Sequence, residues 1–110
     1  MSSGADTPRA NRMSAPEILQ AGVQCMADRA KQRDHKDGER SMPRAVKMLN
    51  ALRGPYSPRD LTEREGWLLL ALLKLSRAQG GAHHIDDYID AAAYMALAGE
   101  TAEREADMPF

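Results

Sequence analysis

Cysteine occurs once in the 110 residues, at Cys25, so no disulfide can close within the chain, and no Cys/His spacing resembles a zinc site. Aromatics are scarce at 5%, which leaves a core to be built from Leu, Ala, Met and Ile. Such residues favour helix, whereas strands draw on β-branched and aromatic types. Neither sign of charge dominates: the formal net charge is −1. That balance argues against a general basic surface for duplex nucleic acid, whose affinity comes largely from neutralising phosphates, and leaves room only for a local basic patch. Long apolar runs are also missing. The Leu-rich stretch from Trp67 to Leu73 falls far short of the ~20 residues that span a bilayer. Met1 to Met13 is polar and lacks the apolar stretch of a secretory signal. No Gly-rich phosphate loop, Ser nucleophile elbow or HExxH motif occurs. The expectation is a cytoplasmic protein of one domain, since domains commonly run ~100 to 150 residues, with no membrane segment.

What the chain does contain is helical punctuation. Residues 1–13 carry Ser, Gly, Pro and Arg without periodicity and read as a disordered arm. Ser14 with Glu17 makes a capping box, and Ile18, Leu19, Gly22, Cys25, Met26 and Ala30 follow at helical spacing, ending near Arg33. A second, short helix opens at Ser41, carries Val46, Leu49 and Leu52 on one side, and stops at Gly54 before a Pro-rich loop. Thr62 and Glu65 form another capping box ahead of a Leu-dense third helix that ends at Gly80-Gly81. A fourth helix starts near Asp86 and runs through many Ala residues toward Gly99, followed by an acidic tail over residues 101–110 that prolongs it briefly. The fold class predicted is all-α, a four-helix bundle over residues 14–100. A dimer is expected, because the Leu-rich third helix exceeds what so small a domain can cover.

Candidate chemistry centres on Asp86, Asp87 and Asp90. Residues three and four apart are neighbours on a helix, so Asp87 or Asp86 together with Asp90 brings two carboxylates within reach of one ion. Mg2+ suits them, accepting one or two carboxylates while keeping waters and bridging to phosphates. The alternative is structural, since Asp is favoured at caps and in first turns, where the helix dipole stabilises negative charge. Glu65 projects on the side of Leu68, Leu69 and Leu72, and serves either as an inward carboxylate or as the reciprocal partner in its capping box. Lys74 and Arg77, like Arg40 and Arg44, could hold phosphate oxygens or simply form a solvated helix face. His83 and His84 read as exposed loop residues, and Cys25 and the methionines as core. Helix-turn-helix recognition of DNA is disfavoured, because the third helix is too apolar to lie in a groove.

Three runs carry a resemblance: Gly38-Glu39-Arg40-Ser41-Met42, then Leu61 to Trp67 leading into Leu72-Leu73-Lys74-Leu75-Ser76-Arg77, then Asp86-Asp87-Tyr88-Ile89-Asp90 to Tyr94. Together, over roughly Ile18 to Glu100, they are similar to a family of small phage and prophage proteins of uncharacterised function. The last run also resembles the final metal-binding helix of MazG-like all-α nucleoside triphosphate pyrophosphohydrolases and of phage nucleotide-modification-associated domains. In MazG-like enzymes two carboxylates on one helix and a Glu-x-x-Asp on a later one hold Mg2+ over the triphosphate. Asp87 and Asp90 match the later motif in spacing, with Asp in place of Glu. The earlier Glu-x-x-Glu pair has no match: Glu63 and Glu65 are two apart, hence on different faces, and Glu39 lies on another segment.

The resemblance implies a MazG-like bundle and phage-linked handling of nucleotides. In an active enzyme Mg2+ held by Asp87 and Asp90, with Asp86 beside them and Glu65 or Glu39 contributing, would activate water to cleave a nucleoside triphosphate between its phosphates. Lys74 and Arg77 would steady the phosphates. Nucleotide binding without turnover shares that site. The competing expectation, from the few aromatics and the incomplete carboxylate set, is a non-catalytic helical interaction protein that binds and inhibits a host or defence component.

Overall fold

The computed structural model of the chain describes residues 12–32, 41–56 and 58–107. The arm expected over residues 1–13 therefore lies outside the described residues, apart from Arg12 and Met13. Among the described residues there are four α-helices and no strand: α1 Ala15–Gln32, α2 Ser41–Arg53, α3 Glu63–Gln79 and α4 Ile85–Ala106.

Each helix begins and ends for a local reason. At α1 the Ser14 hydroxyl accepts from the Glu17 amide at 3.3 Å while Glu17 accepts from the Ser14 amide at 2.8 Å. Gly54 closes α2 at φ +66, a left-handed conformation that favours glycine, and leads into a 3-10 turn over Gly54–Tyr56. Asn50 then bonds both backbone groups of Leu61 at 2.9 Å, tying α2 to the strap that enters α3. At α3 Thr62 and Glu65 form the complete reciprocal cap. Helix α4 passes through Gly99 and continues to Ala106, well beyond the end its glycine suggests. The continuation is held by tertiary contacts: Thr101 is buried, and Arg104 and Glu105 pair with Glu63 and Arg64 of α3.

The helices contact one another in the order α1, α4, α3, α2; among the described residues the two outer helices do not meet. This is a bundle left open on one side. Its core gathers Met42, Val46, Trp67 and Ala98, with Leu61, Leu68, Leu70, Tyr94 and Leu97 against them. Four of the buried apolar residues are Ala71, Ala91, Ala93 and Ala98, so helix axes approach closely and little apolar bulk is enclosed.

Two glycines mark the crossings. Gly22 lets α1 lie over α4, where an added Cβ would meet the Ile89 carbonyl at 3.6 Å and Ala93, an ordinary contact. Gly66 is tighter, for a Cβ there would collide with the Met42 sulfur and stand 2.9 Å from Val46 Cγ2. Helix α2 thus depends on the missing side chain. Ala in place of Gly gains up to about 1 kcal/mol of helix propensity, whereas overpacking costs about 1–3 kcal/mol. In urea denaturation Gly22→Ala is expected to be neutral or stabilising, and Gly66→Ala to lose about 1 kcal/mol net; equal midpoints for the two would refute this account of the α2/α3 crossing.

Candidate functional site

Along the α3/α4 interface the polar groups form a continuous line of pairings. Glu63 accepts from Trp67 Nε1 at 3.2 Å, from the Thr101 hydroxyl at 3.5 Å and from Arg104 at 3.4 Å. Trp67 stacks on Tyr94 with ring centroids 6.0 Å apart and planes at 25°. Arg29, reaching across from α1, places its guanidinium carbon 5.3 Å from the Tyr94 centroid and pairs with Asp90 at 3.6 Å. Asp90 also takes Lys74 of α3 at 3.0 Å, with both side chains less than a fifth exposed. One carboxylate therefore joins three helices.

Adjoining this line at Arg29, Trp67 and Tyr94 lies an apolar groove of about 730 Å³ between α2 and α3. Its floor includes Trp67 and Tyr94, and its walls are Ala45 and Leu49 of α2 and Leu69 and Leu72 of α3. Arg29 and Glu65 stand at its edges, Glu65 already engaged. In size it matches sites that receive ligands or peptide side chains, which run ~300–1,000 Å³.

The residues singled out for chemistry are distributed over this frame. Glu65 stands at the start of α3, where its carboxylate meets Arg59 in a fork at 2.9 and 2.7 Å and accepts from the Thr62 amide at 2.9 Å. The Arg59 hydrogen bonds, followed by the Thr62 amide, hold its pKa down from 4.5 to about 2. Asp90 and Lys74 are brought together, but with each other. Asp86 is exposed in the first turn of α4, while Asp87, 8% exposed, has no ion pair or side-chain hydrogen bond among the described residues. Arg77 is exposed, and Glu39 lies outside the described residues. Glu65 and Lys74 are nine residues apart on α3, about 13 Å along its axis, so Glu65 and the Asp87/Asp90 turn do not share one pocket.

Mg2+, implied by the MazG-like resemblance, can be tested against this donor set. Among the described residues no three His, Cys, Asp or Glu side chains gather closely enough to hold an ion. Asp90 is committed to two cations and Glu65 to Arg59, while Asp87, largely buried as a residue, keeps its unpaired carboxylate oxygens in reach of solvent. A divalent ion that takes one or two carboxylates would have to displace Lys74 or Arg29. The side chains present do not fit the site that the resemblance implies.

Arg29 was absent from the sequence reading, although a signal existed. It falls three or four residues after Cys25 and Met26, on the apolar side of α1, and a charge on that stripe must find a partner inside. Trp67 and Tyr94 were legible as apolar helix residues but not as the floor of a groove.

A family model described as a domain of unknown function (DUF6378) matches residues 17–102. No curated protein and no solved structure matches the chain.

Two measurements test the electrostatics. Asp90→Asn leaves Lys74 partly buried and unpaired, and is expected to destabilise the fold by about 2 kcal/mol, less than the ~3–5 kcal/mol for a fully buried pair because solvent still reaches both groups; a companion Lys74→Met change should recover part of the loss. For Glu65 the folded pKa lies below the unfolded one, so its stabilisation is complete above about pH 4.5 and is lost as pH falls toward about 2. Glu65→Gln should therefore lower the melting temperature at pH 7 and flatten the stability curve across that window; an unchanged acid limb would show that the Arg59 fork does not form in solution.

Proposed function

The chain belongs to the DUF6378 family, a domain of unknown function, and we propose that it is a non-catalytic helical interaction module that takes an apolar helix of another polypeptide into the groove between α2 and α3. One observation carries this reading. Glu65 and Asp90 are absorbed into a cap and ion pairs, whereas a large unsatisfied feature is apolar: Leu69 and Leu72 are each 59% exposed on one wall, and Leu49 is exposed on the other. Grooves of this kind recognise amphipathic helices through apolar anchors repeated every three or four residues. The matching partner carries such a row.

A second reading, Mg2+-dependent nucleotide handling as in MazG-like enzymes, keeps one observation in its favour. Asp87 is buried without a cation beside it. That leaves negative charge for a cation to neutralise, but among the described residues no three His, Cys, Asp or Glu side chains gather to hold one.

Trp67, the single tryptophan, reports on the groove it floors. A panel of Trp-free amphipathic helical peptides with Leu at heptad positions should shift its emission saturably, and Leu49→Glu with Leu69→Glu should abolish the shift while preserving helical circular dichroism. Nucleoside triphosphates with Mg2+ should produce neither pyrophosphate nor a thermal shift. Pyrophosphate release that disappears in Asp87→Asn, with no peptide response, would replace the interaction reading by the nucleotide one.

A further inference from the structure

The side of α3 turned away from α4 carries an ordered pattern. Trp67, Ala71, Lys74 and Ala78 recur at intervals of four, three and four, and Trp67, Ala71 and Lys74 are the ones that meet α4 or lie buried beneath it. About a third of a turn round the helix runs a second row, Glu65, Leu68, Leu72, Leu75 and Gln79, at intervals of three, four, three and four. That is the a/d spacing of a coiled-coil seam, with three leucines in the middle and a polar residue at each end. Leu72 and Leu75 are exposed, Leu69 beside them is exposed as well, and Leu68 is half-buried with one side against the core.

We infer that this face is covered by a second copy of the same chain, α3 packing antiparallel on α3 about a two-fold axis at Leu72, with each leucine row lying along the other copy's α2/α3 groove. The inference rests on the groove reading and names its occupant.

Three observations point to a second copy over an unrelated partner. The row is nearly palindromic in character: turned end for end about Leu72 it sets Leu72 on its own copy, Leu68 beside Leu75, and Glu65 opposite Gln79. An isologous interface requires such self-complementarity, since whatever residue i touches must touch i in return. No like charges meet in this register, because Glu65 of each copy faces an amide, and its own charge is balanced by Arg59. The size is also right. Two helix widths of ~10 Å along the ~25 Å length of α3 project to roughly 500 Å², and the accessible surface of so corrugated a face exceeds its projection, approaching the ~800 Å² per partner of a standard interface.

The helix order supplies the third. Because α1 contacts α4 and not α2 or α3, it leaves this face uncovered within one chain. Two copies joined there would bring α2 and α3 of each together as four helices around one apolar seam, enclosing Met48, Leu49 and Leu52 at its margins, all of them exposed in a single chain. The bundle that one chain leaves open would close between two.

The full chain should sediment and scatter as twice the 12.1 kDa of one copy, and its thermal midpoint should rise with protein concentration. Leu72→Glu and Leu72→Lys should each run as helical monomers. Mixed, they should restore a dimer, because the two-fold places position 72 against itself and the new charges attract. A dimer that survives both substitutions would place the interface elsewhere and overturn the inference, as would a monomeric wild type at every soluble concentration. In that last case a saturable Trp67 response to the leucine peptides would preserve the groove reading with another occupant, and its absence would remove both. A mixture that stays monomeric, with each variant still folded, would reject the antiparallel register.

Discussion

Trp67 lies against Tyr94 between α3 and α4, and the positions of α1 and α2 are both set relative to that contact. The indole is almost fully buried and its N–H is met by Glu63, so the bulkiest core side chain carries no unsatisfied polar group. The face of Tyr94 holds Arg29 of α1. Met42 and Val46 of α2 join the same cluster from the other side, admitted by the absence of a side chain at Gly66. In a chain with so few aromatics, one tryptophan and one tyrosine do the work that a larger core would spread over many residues.

The ion pairs around this contact set register more than they add stability. Glu63 with Arg104 and Arg64 with Glu105 sit at one end of α3, and Lys74 with Asp90 sits near the other. Partly exposed pairs of this kind contribute about 0–1 kcal/mol each. A shift of α4 by one turn would nevertheless leave a half-buried lysine and a half-buried aspartate without partners. The polar pairs thus exclude alternative alignments of two helices that are otherwise lined by interchangeable Leu and Ala. This accounts for the carboxylates that, read along the sequence, look like metal ligands. Asp90 and Glu65 are charged because α3 and α4 must be aligned and capped.

Local signals were legible and long-range pairings were not. The two capping boxes, Gly54 after α2 and the glycine stop after α3 could all be read from residues within one turn, because a cap is satisfied by its own neighbours. Helix α4 outran its Gly99 because Thr101, Arg104 and Glu105 are held by α3, nearly 40 residues earlier, and propensity has no access to such contacts. The same blindness applied to chemistry. The spacing of Asp87 and Asp90 was real, yet whether a cation stands beside an acid is decided by another helix, here through Lys74 and Arg29. The groove was half visible: the leucine excess of α3 could be read from the sequence, but the open order of the helices could not.

The open order matters because it separates the residues that make the fold from those that make the surface. On α3 the two sets alternate within a single turn: Trp67 and Ala71 are buried, while Leu69 and Leu72 are exposed. Helix α3 carries leucines beyond the face that packs on α4, and α4 and α2 cover only part of them. Polar residues at Leu69, Leu72 and Leu75 would have solubilised a single chain at little expense to its core, since none of the three joins the buried cluster. Their place is taken by leucine at heptad spacing, ended on both sides by polar residues that limit its length. A free energy of burial is thereby left unspent in the isolated chain, and it becomes available only on contact with a second apolar helix. On that physical ground the outer face of α3 is where burial is left incomplete, and Asp90 and Glu105 of α4 hold the helix that carries it in position.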